Sequence, residues 1–212
     1  MSHYLSPKTI CRLCILALVF VGCTPKKTQV LLQPSQALGV VLAEETALAA
    51  GSNHQVAVIS PDAHWGPVSD VEEAFRSAIK RKGFQVVTAK SANLGDPMSF
   101  RAGLKGTDFV DALNQSSEAG AVVSFCGAPL LQPADAARVS AGHPPVLVVA
   151  TVTLGRQPGV PSDRLLLTNQ LAAKIIQLAF VDGSNPVSPN TGQSDDTHGM
   201  FAQNYHILRL GD

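Results

Sequence analysis

VAVISPDAHWGPVSDVEEAFRSAIKRKGFQVVT, residues 56–88, is the stretch that decides the fold. Val56-Ala57-Val58-Ile59 is a short unbroken apolar run, the pattern of a strand buried on both faces. Ser60 to Pro67 reads as a loop. From Val68 to Lys82 the period changes. Val71, Ala74, Phe75, Ala78 and Ile79 share one helical face, and Glu72, Glu73, Arg76 and Lys80 are placed on the solvent side. Lys80-Arg81-Lys82 puts positive charge at the helix C-terminus, where the dipole favours it, and Gly83 caps it. Phe84 to Thr88 is a second apolar run. Two buried strands joined by an amphipathic helix form the crossover unit of a parallel sheet.

Outward from this unit the alternation continues. Asp108 to Ala119 is a helix ended by Gly120, Ala121 to Phe125 a third strand, and Pro133 to Val139 a short helix. Val146 to Val152 is a fourth strand, Leu165 to Ala173 a helix, and Lys174 to Val181 a fifth strand. Asp182 to Gly199 reads as loop, and Tyr205 to Leu210 as an added edge strand. On the N-terminal side, Ser35 is placed as the N-cap of a helix carrying Leu38, Val41, Leu42, Glu45 and Leu48, closed by Gly51. The expected architecture is α/β, a doubly wound, mostly parallel five-stranded sheet of flavodoxin-like order 2-1-3-4-5.

The N-terminus carries an address. Met1 to Arg12 is a polar head with Lys8 and Arg12 and no acid, and Leu13 to Val21 is wholly apolar. That apolar segment falls short of the about 20 residues needed to span a bilayer. Phe20-Val21-Gly22-Cys23 resembles the lipobox of bacterial lipoproteins, in which a small residue precedes the cysteine that becomes the lipidated N-terminus. Phe20 stands where that family usually has Leu, and Val21 where it more often has Ala or Ser. The resemblance implies residues 1–22 as a signal peptide, lipid on Cys23, and residues 23–34 as a polar tether. The α/β domain follows at 35–181 and a C-terminal loop and edge at 182–212. Thr24, where Asp would retain the protein in the inner membrane, favours the outer membrane of the cell envelope.

Loss of the signal removes Lys8 and Arg12 from sixteen basic residues against sixteen acidic ones, leaving a formal charge of −2. A near-neutral chain lacks the basic face that nucleic acid requires. Cys11 and Cys14 lie inside the signal, so their redox-like spacing is a decoy. With Cys23 acylated, Cys126 is the one thiol left and no intramolecular disulfide is expected.

In a sheet of this order, ligands bind beyond the carboxyl ends of the strands, where the strand order reverses. The loops meeting there carry Ser60, Asp62, His64 and Trp65 after the first strand and Cys126 and Gly127 after the third. Thr151 and Thr153 follow the fourth strand, and Asp182, Ser184 and Asn185 the fifth. Trp65 is the only tryptophan. It either stacks on a flat or sugar-like ligand, with Ser60 and Asp62 as hydrogen-bonding groups, or packs back over the sheet edge while Asp62 caps a turn.

The established chemistries of such sheets fail on named residues. The first loop has one glycine between prolines, not Gly-x-Gly-x-x-Gly. It lacks the Ser/Thr-rich phosphate loop of a flavodoxin and the acidic pair of a phosphoryl receiver. Gln132 stands where a cysteine phosphatase needs Arg, and no Gly-x-Ser-x-Gly elbow occurs. Nothing adjacent activates Cys126, which reads as a small buried residue. His198 with Asp195 and Asp196 lacks a second histidine at ligand spacing and reads as loop. No cofactor or metal is expected.

The order of elements from residue 35 to 181 resembles one lobe of the type I periplasmic binding proteins, solute receptors of transport and signalling systems. The likeness is carried by Val56–Ile59 with the loop to Trp65, the helix from Val68, Phe84–Thr88, Ala121–Val123 and Val146–Ala150. Those receptors close two lobes on a ligand, and this chain has room for one. The resemblance implies a lipid-anchored protein binding a small solute. A non-catalytic module holding an envelope protein partner is the alternative, and an enzyme using Cys126 or Asp62 comes last.

Overall fold

The computed structural model describes residues 33–62, 69–95, 103–151, 164–183 and 196–211, all within one compact unit. Residues 1–32, where the signal peptide, Cys23 and most of the tether are expected, lie outside the described residues, as do His64 and Trp65.

Six strands form one sheet of order β2-β1-β3-β4-β5-β6. They are β1 (Gln55–Pro61), β2 (Gln85–Ala92), β3 (Ala121–Ser124), β4 (Val146–Ala150), β5 (Leu178–Asp182) and β6 (Tyr205–Leu208). The first five are parallel, and β6 runs antiparallel to β5, with Val181 opposite His206. The helices are α1 (Pro34–Ala50), α2 (Asp70–Arg81), α3 (Gly106–Gln115), α4 (Pro133–Ala136), α5 (Arg164–Ala172) and α6 (Thr197–Asn204).

The doubly wound form follows from the side-chain period of two along each strand. Val56, Val58, Val123, Leu147, Val149 and Phe180 point to one face and share a core with Leu38 and Leu42 of α1, Phe75 and Ile79 of α2, and Phe201 of α6. Ala57, Ile59, Val122, Val148 and Ala179 point to the other, packed with Phe109 and Val110 of α3 and Leu167 and Leu171 of α5. Both faces are covered, which is why the runs are continuously apolar.

Several boundaries differ from the sequence reading. α1 begins one residue before Ser35: Pro34 is its first residue and Gln33 its N-cap, whose N–H donates to the Gln36 side chain at 3.2 Å. Proline suits that position because its missing N–H has no helical partner to lose. Leu48, grouped by spacing with the apolar positions, is 78% exposed. β5 starts at Leu178 rather than Lys174, because Lys174 turns with φ +57° and its N–H and that of Ile175 bond back to Leu171 and Gln170. The stretch read as loop up to Gly199 contains the start of α6. Asp196 caps that helix, accepting from the Gly199 N–H at 2.8 Å, and Met200 and Phe201 anchor it in the core.

α1 and α2 meet closely at Gly39. A Cβ there would lie 2.5 Å from the Val71 carbonyl oxygen, 2.7 Å from Ala74 Cβ and 2.8 Å from the Phe75 nitrogen. Hydrogen is the side chain that lets these backbones touch.

Candidate functional site

The strands β1 and β3 lie side by side at the point where the order reverses, and the chain leaves their carboxyl ends in different directions. Past the end of β3 the ladder runs on: the Phe125 N–H donates to the Ile59 carbonyl at 2.9 Å. On the other flank, the Asp62 N–H donates to the Ala92 carbonyl at 2.9 Å, extending the β1–β2 ladder to the first residue of the loop.

After β3 the backbone turns sharply around Ser124. Its hydroxyl accepts from the Cys126 N–H at 3.3 Å and donates to the Gly127 carbonyl at 3.2 Å. Gly127 has φ +76°, a left-handed conformation that a side chain would strain. The turn holds Cys126 inward, 7% exposed, with its thiol 3.7 Å from the Ile59 carbonyl. Burial pushes this thiol far above its ordinary value, and the Glu72 and Asp62 carboxylates add to the effect. These surroundings are the reverse of those that activate a nucleophilic cysteine.

Behind Ser60 stands a residue that the helical reading placed in solvent. Glu72 is 2% exposed. Its Oε1 accepts from the Ser60 hydroxyl at 2.7 Å and from Arg76, with both Nε and a terminal nitrogen at 2.8 Å. Arg76 reaches on to the Thr88 hydroxyl at 3.4 Å. The helix is started by Ser69, whose side chain accepts from the Glu72 N–H at 3.2 Å, so the first turn that positions Glu72 is itself capped. A carboxylate taken out of water needs such partners. The sequence contains the signal: Glu72, Phe75 and Ile79 fall at i, i+3 and i+7, on one stripe.

The structure thus brings together Ser60 of β1 and Asp62 just after it with Cys126 and Gly127 from the turn after β3. Thr151 follows β4 at the same edge and is buried. Asp182 ends β5, opposite Tyr205. Thr153, Ser184, Asn185 and Asp195 lie outside the described residues, with His64 and Trp65. His198 sits largely exposed on α6, 3.4 Å from Glu44 of α1, and Asp196 caps the start of that helix.

One polar group near this edge escaped the sequence reading. Gln170, on the buried stripe of α5 beside Leu167 and Leu171, donates through Nε2 to the Pro129 carbonyl at 2.7 Å. Its Oε1 is buried with no hydrogen-bond partner among the described residues. A concavity of about 360 Å³ opens at the opposite, amino edge of the sheet, lined by His143, Pro145, Leu171, Lys174, Ile176 and Leu210.

No family model matches this sequence, and no curated protein does either. Solved structures with some likeness include a periplasmic ribose ABC transporter protein from Conexibacter woesei, at 19% identity and a TM-score of 0.45 over 69% of this chain and 45% of that one. An arabinose-binding protein from Geobacillus stearothermophilus shows 14% identity and a TM-score of 0.43 over 69% and 45%. The substrate-binding protein of a sugar ABC transport system from Bordetella parapertussis shows 14% and 0.41 over 71% and 42%. The chain spans less than half the length of each of these proteins. Its architecture is therefore read from its own sheet, whose order 2-1-3-4-5-6 and helices on both faces define a flavodoxin-like lobe.

Proposed function

We propose that this chain is an envelope lipoprotein, cut before Cys23 and held by lipid on that residue, whose α/β domain binds a small solute at the carboxyl edge of the sheet. The observation that carries the solute reading is the convergence of Ser60, Asp62, Cys126, Gly127 and Thr151 from the ends of three strands at the reversal of strand order. His64 and Trp65, which lie between β1 and α2 in the sequence, are part of the proposal as further ligand contacts.

The chemistry of these groups narrows the solute. Ser60 gives its single proton to Glu72, which leaves it lone pairs to offer a ligand. Asp62 brings negative charge to the same strand end. Acceptors and acidic charge suit donors, either hydroxyl groups of a neutral polyol or an ammonium group, and oppose organic anions.

Trp65, as sole tryptophan, is the reporter. Its fluorescence is to be titrated with polyols and sugars, amines, and organic acids, in the parent chain and in Asp62→Asn. A saturable shift with a member of the first two classes, weakened in Asp62→Asn, supports the site. Silence across all classes, with no change in thermal midpoint, refutes it and turns attention to a protein partner. The anchor is tested separately. Protein from membranes should carry a mass increment of acyl groups on Cys23, and Cys23→Ser should be released to the soluble fraction.

A further inference from the structure

We propose that the hollow at the amino edge of the sheet is a second binding site, one that takes an aliphatic monocarboxylate with its carboxylate on the Lys174 ammonium. It lies at the opposite end of the strands from Ser60 and Asp62 and does not rest on the solute reading there.

The floor of the hollow is apolar. Val146, at the start of β4, is fully buried, and Leu171 and Ile176 are 4% and 2% exposed. Pro145 and Leu210 continue the lining, and Leu210 is a large apolar side chain left 60% exposed. The volume of about 360 Å³ falls within the range of small-molecule pockets, about 300–1,000 Å³. Lys174 and His143 border it, and the described lining contains no acidic residue.

The two basic residues differ in role. His143 Nδ1 lies 2.7 Å from the Pro144 carbonyl oxygen and Nε2 3.2 Å from that of Lys174, joining the loop before β4 to the turn after α5. Both nitrogens face the backbone, so the imidazole fixes the wall and leaves the recognition of charge to Lys174. That lysine bends the chain with φ +57°, the one residue other than glycine with positive φ among those described. Its N–H donates to Leu171 and that of Ile175 to Gln170, both at 2.9 Å, in a helix-closing turn whose left-handed position ordinarily falls to glycine. A lysine there carries a conformational cost that glycine would avoid. The helix dipole offsets part of that cost but gives no reason for the apolar basin beside it.

Among the described residues no carboxylate pairs with the Lys174 ammonium. The carbonyls of Asn169, Gln170 and Leu171 accept from Ala173, Ile175 and Lys174, so these are not left to repel an anion. A cation at the mouth of an apolar basin suits a ligand with one anionic end and an aliphatic body. A sugar phosphate would instead press hydroxyl groups against Leu171 and Ile176.

The probe is octanoate, titrated into the full chain carrying Cys23→Ser, in which no thioether-linked lipid competes for the hollow. Methyl NMR shifts of Leu171, Ile176 and Leu210 are the readout. Saturable shifts at all three are expected, with hexanoate weaker by up to about fourfold for each methylene lost. Octanol keeps the chain without the charge and should bind about two- to fivefold more weakly. Lys174→Gly should weaken octanoate by about the same factor and leave octanol unchanged, with methyl signals away from the hollow as in the parent. Lys174→Gln, which keeps a side chain on the left-handed backbone, should match it. Octanol binding as tightly as octanoate, or octanoate undiminished in both variants, overturns the carboxylate contact. No shift of the three methyls at the highest soluble octanoate concentration overturns the site.

Discussion

Replacing Glu72 by alanine removes the oxygen on which three donors converge, and the structure permits an estimate of the cost. The Ser60 hydroxyl, 8% exposed, loses its partner at 2.7 Å, and a buried donor left unpaired costs about 1–3 kcal/mol. Arg76 is 26% exposed and keeps access to water and to Thr88, so its share is about 0–1 kcal/mol. The lost methylene contact adds about 0.8 kcal/mol. The expected loss is about 2–5 kcal/mol, with Glu72→Gln smaller because an amide oxygen still accepts from Ser60. Urea unfolding followed by circular dichroism, on the chain without its first 23 residues, gives the values from midpoints at constant slope. A double-mutant cycle with Ser60→Ala should return a coupling of about 1 kcal/mol. A helix residue on the solvent side would cost less than about 0.5 kcal/mol. If Glu72→Ala falls there, or if the cycle shows no coupling, the buried cluster behind the site is wrong.

Gly39→Ala should destabilise the fold by about 1–2 kcal/mol although alanine is the better helix former by about 1 kcal/mol, since two of the three atoms its Cβ would meet are backbone and cannot step aside. Thermal melts of the two proteins check this, and a gain in stability would show that α1 and α2 can separate freely. Cys126 governs a pH effect. The folded thiol keeps its proton above the ordinary value of 9.0, where the unfolded thiol releases it, so the unfolded state binds fewer protons there. The contribution is therefore fully present below about pH 9 and falls above it by at most about 1.4 kcal/mol per pH unit. Stability profiles of the parent and Cys126→Ala should run parallel below that pH and converge above it, and parallel profiles throughout would contradict the burial. The same thiol should resist alkylation in the native protein and react promptly in denaturant.

The parallel core of the fold was legible because strands covered on both faces must be apolar throughout, and Val56–Ile59, Ala121–Val123 and Val146–Val149 are. The spacing of chemistry along the chain placed Ser60, Cys126 and Thr151 at strand ends for the same reason. What stayed hidden depends on partners distant in sequence. α6 is short, with only Met200 and Phe201 buried, and its stability comes from Asp196 at its start and from α1 beneath it, not from its own periodicity. Glu72 was misplaced because a charged residue at the border of an apolar stripe is assigned to water unless a partner is known, and Ser60 lies twelve residues away on another element. Pro34 was taken for tether because proline marks a helix start as readily as an extended segment.

The two rims of the sheet bear on crowding. β2 is an outer strand of eight residues, long enough to recruit a neighbouring chain by backbone pairing. Its regular course is interrupted where Val58 and Ile59 pair with Thr88 and Lys90, skipping Ala89. Lys90 is drawn to Asp108 at 3.0 Å, placing charge along that rim. At the far side, β6 offers four residues and ends at the Arg209–Glu45 tie. On the lipid anchor proposed above, copies would be confined to a plane and would meet far more often than in solution. An irregular, charged strand on one side and a very short one on the other give such encounters no template for growing a continuous sheet between molecules.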